Sequence, residues 1–244
     1  MVRDEADIIE ATVRQIASQV DHVLVADNLS EDGTRQILDR LAAELPLTVV
    51  EDSDPAYLQS EKMSRLAARA AGGGAEWVVA FDADEWWYSP FGRIGDILDA
   101  HSGAVATAEI YDHVATSGDS DEPDPTKRIN WHRCQPCPLE KVACRPVLRA
   151  TITQGNHGAH YPTQQPLTGQ IVIRHFPMRS AEQMIRKARI GGAAYEATDL
   201  PADVGAHWRQ WNQLSDEQLE GVFREYYFSD DPGSDPELIF DPCP

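Results

Sequence analysis

Two acidic clusters in the first half of the chain have residue types suited to a phosphate-bearing ligand. The apolar run EWVVAF (76–81) leads directly into Asp82, Ala83, Asp84 and Glu85. Two carboxylates one residue apart at the end of a buried strand can hold a hard divalent cation, which in turn grips phosphate oxygens. An exposed turn or a helix cap would use the same residues, so the metal reading depends on where the pair sits. A second run, HVLVAD (22–27), ends in Asp27-Asn28 ahead of LSEDGT. Such a pair can read a nucleobase edge and a ribose hydroxyl, while Ser30 and Asp32 cap the helix that follows. A capped turn accounts for Ser30, Asp32 and Gly33 but leaves Asp27 and Asn28 unexplained. Trp86, Trp87 and Tyr88 follow the acidic cluster; they could stack on a pyranose face or anchor the loop in the core. His132, Cys134, Cys137 and Cys144 could bind zinc through three thiolates and an imidazole. They fall in one stretch rather than two knuckles, which favours free loop thiols.

The elements that must position these groups alternate. Ile8, Ile9, Val13, Ile16 and Val20 share one face of a helix over 5–20, and HVLVAD reads as a buried strand. A second helix carries Ile37, Leu38, Leu41 and Leu45, and Pro46 ends it before the strand LTVVED (47–52). SEKMSRLAARAA (60–71) is helical and stops at Gly72-Gly73-Gly74, and EWVVAF is the next strand. Strand, helix, strand, helix, strand predicts right-handed crossovers and a parallel sheet with helices on both faces. Such a sheet binds ligands beyond the carboxyl ends of its strands, where both acidic clusters fall.

After residue 100 the pattern changes. AVATAEIYDHVAT (104–116) reads as a long strand, and RPVLRATITQ (145–154) and QIVIRHF (170–176) as further mixed or antiparallel ones. Ser180 and Gln183 form a capping box for the helix SAEQMIRKARIGGAAYEA. The last helix, SDEQLEGVFREYYF, has an apolar stripe suited to packing or to a homodimer contact, and an acidic, Pro-rich tail follows as a disordered or draped segment.

The chain has 244 residues, with 21 Lys and Arg against 40 Asp and Glu, a net charge of −19. That balance argues against nucleic acid and anionic membranes as partners, since phosphate-rich surfaces select basic patches. No apolar run is long enough to span a bilayer, and MVRDEADIIE has no signal-peptide h-region. Four cysteines are too few for a disulfide scaffold and favour a reducing, cytoplasmic setting. A protein so acidic needs a local cation to receive an anionic ligand.

The order MVRDE, DHVLVADNLSEDGT, LQSEKMSRLAARAA, AEWVVAFDADEWW resembles the nucleotide-sugar half of a GT-A fold glycosyltransferase, close to family two. QGNH (154–157) and IRHFPMRSAEQMIRKARIGG (173–192) resemble bacterial members, and the likeness spans roughly residues 2–225. It implies an α/β fold of GT-A type: a Rossmann-like, mostly parallel central sheet with flanking helices and a smaller mixed sheet on the acceptor side. One domain would cover 1–228, with a nucleotide-sugar half at about 1–100 and an acceptor half at about 101–228, and the tail would occupy 229–244. The strand before the first helix in such folds has only Met1-Val2 as its counterpart here.

The implied activity is metal-dependent transfer of a sugar from a nucleotide sugar, by preference a UDP-sugar, to an unidentified acceptor hydroxyl, with inversion. Asp82 and Asp84 match the family's DxD, with Asp84 the favoured direct ligand of Mn²⁺ or Mg²⁺ and His175 completing the metal site. Asp27 and Asn28 match the base and ribose pair, and Arg3 and Glu5 the loop beside the nucleotide. Arg179 and Lys187 would lie beside the diphosphate and stabilise the leaving nucleotide. Family-two inverting enzymes place a Glu-Asp pair after the DxD to deprotonate the acceptor, and this sequence has no counterpart. The GNH turn occupies about that place, which makes His157 a candidate base or acceptor contact. Glu109 and Asp112 are alternatives, and a purely structural turn histidine is another. Two competing classes are a haloacid-dehalogenase-type phosphotransferase, which also uses Asp-x-Asp, and a nucleotide- or glycan-binding module of the same fold without catalysis.

Overall fold

The computed structural model describes residues 1–146, 151–159 and 166–243. In chain order its elements are α1 (Ile9–Gln19), β1 (Val23–Asp27), α2 (Thr34–Ala42), β2 (Leu47–Glu51), α3 (Gln59–Gly72), β3 (Val78–Val79) and β4 (Glu85–Tyr88). Then come α4 (Ile94–Ala100), β5 (Val105–Thr116), α5 (Pro125–Arg128), β6 (Trp131–Arg133), β7 (Lys141–Cys144) and a 3-10 turn (Gln154–Asn156). The last are β8 (Leu167–His175), α6 (Ala181–Glu196), α7 (Ala206–Asn212), α8 (Asp216–Tyr226), β9 (Phe228–Ser229) and β10 (Leu238–Phe240). The chain forms two compact units: the first holds residues 1–53, 58–111 and 136–175, the second 54–57, 112–135 and 176–244. The two units divide inside β5, and residues 136–175 belong to the first because β7 and β8 pair there.

In the first unit β1 and β2 pair in parallel, Val23 opposite Leu47 through Asp27 opposite Glu51, as a strand-helix-strand crossover requires. The expected third parallel strand is shorter than its apolar run. Only Val78–Val79 is regular, and it pairs antiparallel with β7, not with β1. The edge of β1 away from β2 holds one parallel bridge, Val2 to Asp27, in which the Val2 N–H donates to the Ala26 carbonyl at 2.9 Å. A cavity of about 580 Å³ adjoins this edge, lined by Val23, Leu24, Val78 and Val79 among others. Its lining includes neither Asp27 nor Asp82 nor Asp84.

The core gathers the predicted helix stripes. Ile9, Val13 and Ile16 of α1 and Leu38 and Leu41 of α2 are buried with Val23, Val25 and Trp87. Helix α1 begins later than its apolar spacing suggests, because residues 3–8 form a loop. It also buries two polar side chains. The Thr12 hydroxyl donates to the Ala83 carbonyl at 2.8 Å and the Gln15 amide to the Trp87 carbonyl, which fastens the 83–87 segment to the helix. Trp87 is therefore a core anchor, while Trp86 and Tyr88 alternate to the other side of β4, where the Arg174 guanidinium lies 5.1 Å from the Tyr88 ring centre.

In the second unit the end of β5 pairs with β6 and with β9. The expected tail supplies β10, antiparallel to β6 with Leu238 opposite Arg133, so residues 238–240 are ordered in a sheet. Ser180 caps α6 by accepting the Gln183 N–H at 3.1 Å, and Ser215 with Gln218 forms a full capping box on α8. Gly191 and Gly192 let α6 meet α7 closely, since a Cβ there would lie under 3 Å from Trp208 and Asn212. Residues 147–150 of the expected strand RPVLRATITQ lie outside the described residues; of the rest, Ile152 makes one bridge to Ala159.

Candidate active site

The antiparallel pairing of β3 with β7 sets Val78 opposite Cys144 and Val79 opposite Ala143, which brings Lys141 beside the carboxyl end of β3. Lys141 is 6% exposed. Its ammonium contacts Asp82 Oδ2 and lies 3.0 Å from Glu85 Oε1. Glu85 is wholly buried, and its Oε2 accepts the Asp82 N–H and the Trp87 Nε1–H, each at 2.9 Å. Asp82 Oδ1 accepts the side-chain amides of Gln59 at 3.0 Å and Asn156 at 2.9 Å. Donors from α3, β7 and the 3-10 turn thus engage both Asp82 oxygens. Burial pushes the Glu85 carboxyl up, with Lys141 pulling the other way. Burial also opposes the Lys141 charge, but Asp82 and Glu85 outweigh it and hold its pKa above the usual lysine value.

Asp84 stands differently. It is buried, and its Oδ1 lies 3.7 Å from Nε2 of His175. His175 ends β8, where the β4–β8 ladder sets it opposite Glu85. That separation is too long for a hydrogen bond, yet short enough for both atoms to reach one ion at ligand distances of about 2.1 Å. Among the described residues no group of three or more His, Cys, Asp or Glu is placed to hold a metal ion, and the cysteines at 134, 137, 144 and 243 are free thiols. Of the expected set of Asp82, Asp84 and His175, the structure therefore brings one carboxylate, Asp84, next to the imidazole, while Asp82 is engaged by Lys141, Gln59 and Asn156. This donor set fits a divalent cation that takes its other ligands from diphosphate oxygens and water, and the nitrogen suits Mn²⁺ better than Mg²⁺.

At the end of β1, Asp27 and Asn28 are both buried. The Asn28 amide donates to the Asp52 carbonyl and to Asp52 Oδ2, both at 3.0 Å, and Asp52 Oδ2 is 2.7 Å from the buried Lys62 ammonium. Asp27 Oδ2 is 3.9 Å from Arg35, while its Oδ1 is buried without a hydrogen-bond partner among the described residues. The loop carrying Arg3 and Glu5 is laced to the turn after β1. Ser30 Oγ accepts the Asp4 N–H at 3.1 Å, Thr34 Oγ1 the Glu5 N–H at 2.9 Å, and Asp4 Oδ1 the Glu31 N–H at 2.7 Å. Ser30 thus ties two loops together rather than capping α2, whose N-cap is Gly33 at φ +100°. Asp32 does accept the Thr34 N–H at 3.0 Å. Arg3 is half-buried, and its Nε has no hydrogen-bond partner among the described residues.

The turn before His157 is left-handed at Gly155 (φ +78°) and Asn156 (φ +58°). A Cβ on Gly155 would lie 2.4 Å from the His157 ring, so only glycine lets that ring fold back. His157 Nδ1 is 2.9 Å from the Glu140 carbonyl. A carbonyl only accepts, so Nδ1 carries the proton and Nε2 the lone pair. Burial lowers the ring's pKa below its usual 6.5, which leaves it neutral at pH 7.

The other expected residues spread over both units. Glu109, in the first, accepts the Tyr111 hydroxyl at 3.3 Å. Asp112, Arg179 and Lys187 belong to the second. Arg179 is buried, with Nη1 donating to the Phe176 carbonyl at 3.0 Å, and the Lys187 ammonium donates to the Pro177 carbonyl at 3.2 Å. Sequence reasoning missed Gln59, Lys141 and Asn156. A lone lysine opening the apolar run KVAC was the one available signal, and nothing in the sequence ties it to Asp82.

No helix among the described residues is long and apolar enough to cross a membrane. Among solved structures the chain is similar to TarS 1-349 of S. aureus in complex with UDP (14% identity, TM-score 0.42, covering 93% of this chain and 70% of that one). It is similar also to the same protein in complex with UDP-GlcNAc (13%, TM-score 0.43, covering 92% and 71%). No curated protein sequence matches the chain. The model of the family described as glycosyl transferase family 2 matches residues 1–180, most of the length, and the chain belongs to that family.

Proposed function

We propose that this glycosyltransferase moves a sugar from a UDP-sugar to an acceptor hydroxyl with inversion, using Mn²⁺ or Mg²⁺ held by Asp84 and His175. The observation that carries the reading is the buried Asp84 carboxylate facing an imidazole at 3.7 Å, beside an Asp82 whose charge Lys141 already balances. When bound, the cation neutralises charge on the diphosphate and so eases its departure.

The chain's own residues supply the rest. Asp27 Oδ1, which has no hydrogen-bond partner among the described residues, is suited to accept the N3–H of uracil or a ribose hydroxyl, since a buried carboxylate oxygen without a donor is costly until a ligand brings one. Arg3 adds a positive group in the neighbouring loop. His157 Nε2 takes the acceptor hydroxyl proton as that oxygen bonds to the anomeric carbon. The bond from that carbon to the diphosphate breaks in the same step, and its electron pair leaves on UDP. Glu109 and Asp112 are the alternatives for the base, and Arg179 and Lys187 our candidates to meet the leaving diphosphate. A phosphotransferase that attacks through Asp82 would need a free oxygen there, and both are engaged.

The test is a panel of UDP-, GDP- and TDP-sugars incubated with Mn²⁺. Release of UDP from UDP-sugars without inorganic phosphate is expected; phosphate release would mean a phosphatase, and no release a binding module. The pH profile tests His157. Because its pKa is lowered, the base form persists below pH 6.5, so kcat/KM should fall only in more acid solution. An acid limb centred above 6.5, or one that survives His157→Gln, would remove His157 as the base.

A further inference from the structure

Lys141 touches neither Asp84 nor His157, yet both depend on what it holds. Its ammonium joins Asp82 and Glu85, which bracket Asp84 in sequence. Asp82 in turn accepts the Asn156 amide, one residue before His157, and the Gln59 amide. Gln59 also takes the Gly155 N–H through its own oxygen at 2.7 Å. The residue before Lys141 completes the circuit, because the Glu140 carbonyl fixes the His157 ring. The start of β7 therefore holds the 82–85 turn through a side chain and the 154–157 turn through a carbonyl.

The charges make the tether specific. Asp82, Glu85 and Lys141 sum to one negative charge, and Glu85 is wholly buried. An apolar residue at 141 would leave the wholly buried Glu85 and the part-buried Asp82 without a compensating cation, a costly arrangement. Asn156 holds its left-handed conformation without being glycine; its backbone N–H donates to the Thr153 carbonyl at 3.0 Å and its side-chain amide ties the turn to Asp82.

We propose that Lys141 is a positioning residue of the active site, a buried cation that locks the turn carrying Asp84 to the turn carrying His157. This inference rests on the reading of Asp84 and His157 given above. It assigns Asp82 to the scaffold rather than to the metal. Misplacing a reacting group by about 1 Å costs on the order of 100-fold in rate, which sets the expected effect.

The experiment compares the wild type with Lys141→Met, Lys141→Arg and the double variant Glu85→Gln, Lys141→Met. The double variant removes one charge of each sign, so the cluster keeps its single negative charge and loses only the tether; it remains readable where Lys141→Met alone fails to fold. Three readouts are taken: UDP affinity with Mn²⁺ by calorimetry, kcat and KM with the preferred donor, and the ¹H–¹⁵N signal of the His157 ring. In the double variant, UDP affinity should stay within about threefold while kcat falls about 100-fold. The ¹⁵N shifts that mark the Nδ1–H tautomer of His157, held by the Glu140 carbonyl, should move toward those of a mixed-tautomer ring. Lys141→Arg, which keeps the cation, should recover at least tenfold of that rate. A folded double variant with kcat within threefold of wild type and an unchanged His157 signal would overturn the inference. A wild type that neither turns over nor binds UDP would sink the functional reading instead, and the His157 signal would still decide the role of Lys141.

Discussion

The ends of β1 and β3 look alike in the sequence, each an apolar run closing on acidic residues, but they differ in how their carboxylates are satisfied. At the end of β3, Asp82 and Glu85 are enclosed by Lys141, Gln59, Asn156 and the indole of Trp87. At the end of β1, Asn28 is tied to Asp52, whereas Asp27 keeps a buried oxygen with no hydrogen-bond partner among the described residues. Glu85 Oε1, like Asp27 Oδ1, accepts no hydrogen bond among the described residues, but it faces the Lys141 ammonium at 3.0 Å, whereas Asp27 has Arg35 at 3.9 Å from its other oxygen. The charge-compensated carboxylates read as scaffold and Asp27 as a place where a ligand donates. Within the β3 end the two aspartates also differ in their neighbours: Asp82 contacts Lys141, Gln59 and Asn156, and Asp84 lies 3.7 Å from His175 Nε2.

Substitutions can break this contrast. The largest effect is expected for Asp84→Asn, which removes the one carboxylate suited to a cation. Turnover should fall by roughly 1,000-fold, the scale of transition-state charge stabilisation by a metal, and UDP affinity should lose its dependence on Mn²⁺. Asp82→Asn should act on stability instead. The amide oxygen still accepts from one neighbour, but Lys141 loses half of its charge balance, and a loss of about 2 kcal/mol in chemical denaturation is expected. Its UDP affinity should still respond to Mn²⁺. If both variants lose the metal response equally, the two carboxylates act alike and the distinction between them fails.

Asp27→Asn probes the other strand end and should reverse the pattern. No donor is lost from Oδ1, so stability should hold or rise slightly, while UDP affinity drops about tenfold for want of a charged acceptor. A destabilised protein with unchanged UDP affinity would make Asp27 a scaffold residue after all.

These differences were only partly legible in the sequence. Helices with a clean apolar period, such as α2 with Leu38 and Leu41, fell where their spacing placed them, because local spacing alone decides which face is buried. The resemblance marked Asp27, Asn28, Asp82, Asp84 and His175 as a set, and the fold places all of them in one unit. What spacing could not show was partnership. Lys141 meets Asp82 across 59 residues only because β3 pairs antiparallel with β7, a register that no local pattern announces. EWVVAF likewise read as a full strand, yet only Val78 and Val79 form regular strand, since strand length depends on the neighbour and not on apolarity. Ser30 had the chemistry of a cap but met the Asp4 N–H first.

The smallest expected effect is the sharpest check on Asp27. Arg35 stands 3.9 Å from its Oδ2, and that contact could be taken as a salt bridge that already satisfies the carboxylate. The Arg35 side chain is 38% exposed, and its short contact is with Asp39, at 2.8 Å one helical turn on. Exposed pairs at the edge of contact distance contribute about 0–0.5 kcal/mol. Arg35→Gln should therefore leave stability within that margin and UDP affinity within about threefold, as thermal melts and calorimetry would measure. A loss as large as that of Asp27→Asn would mean that Arg35 holds Asp27 in place, and that the end of β1 is a paired scaffold like the end of β3.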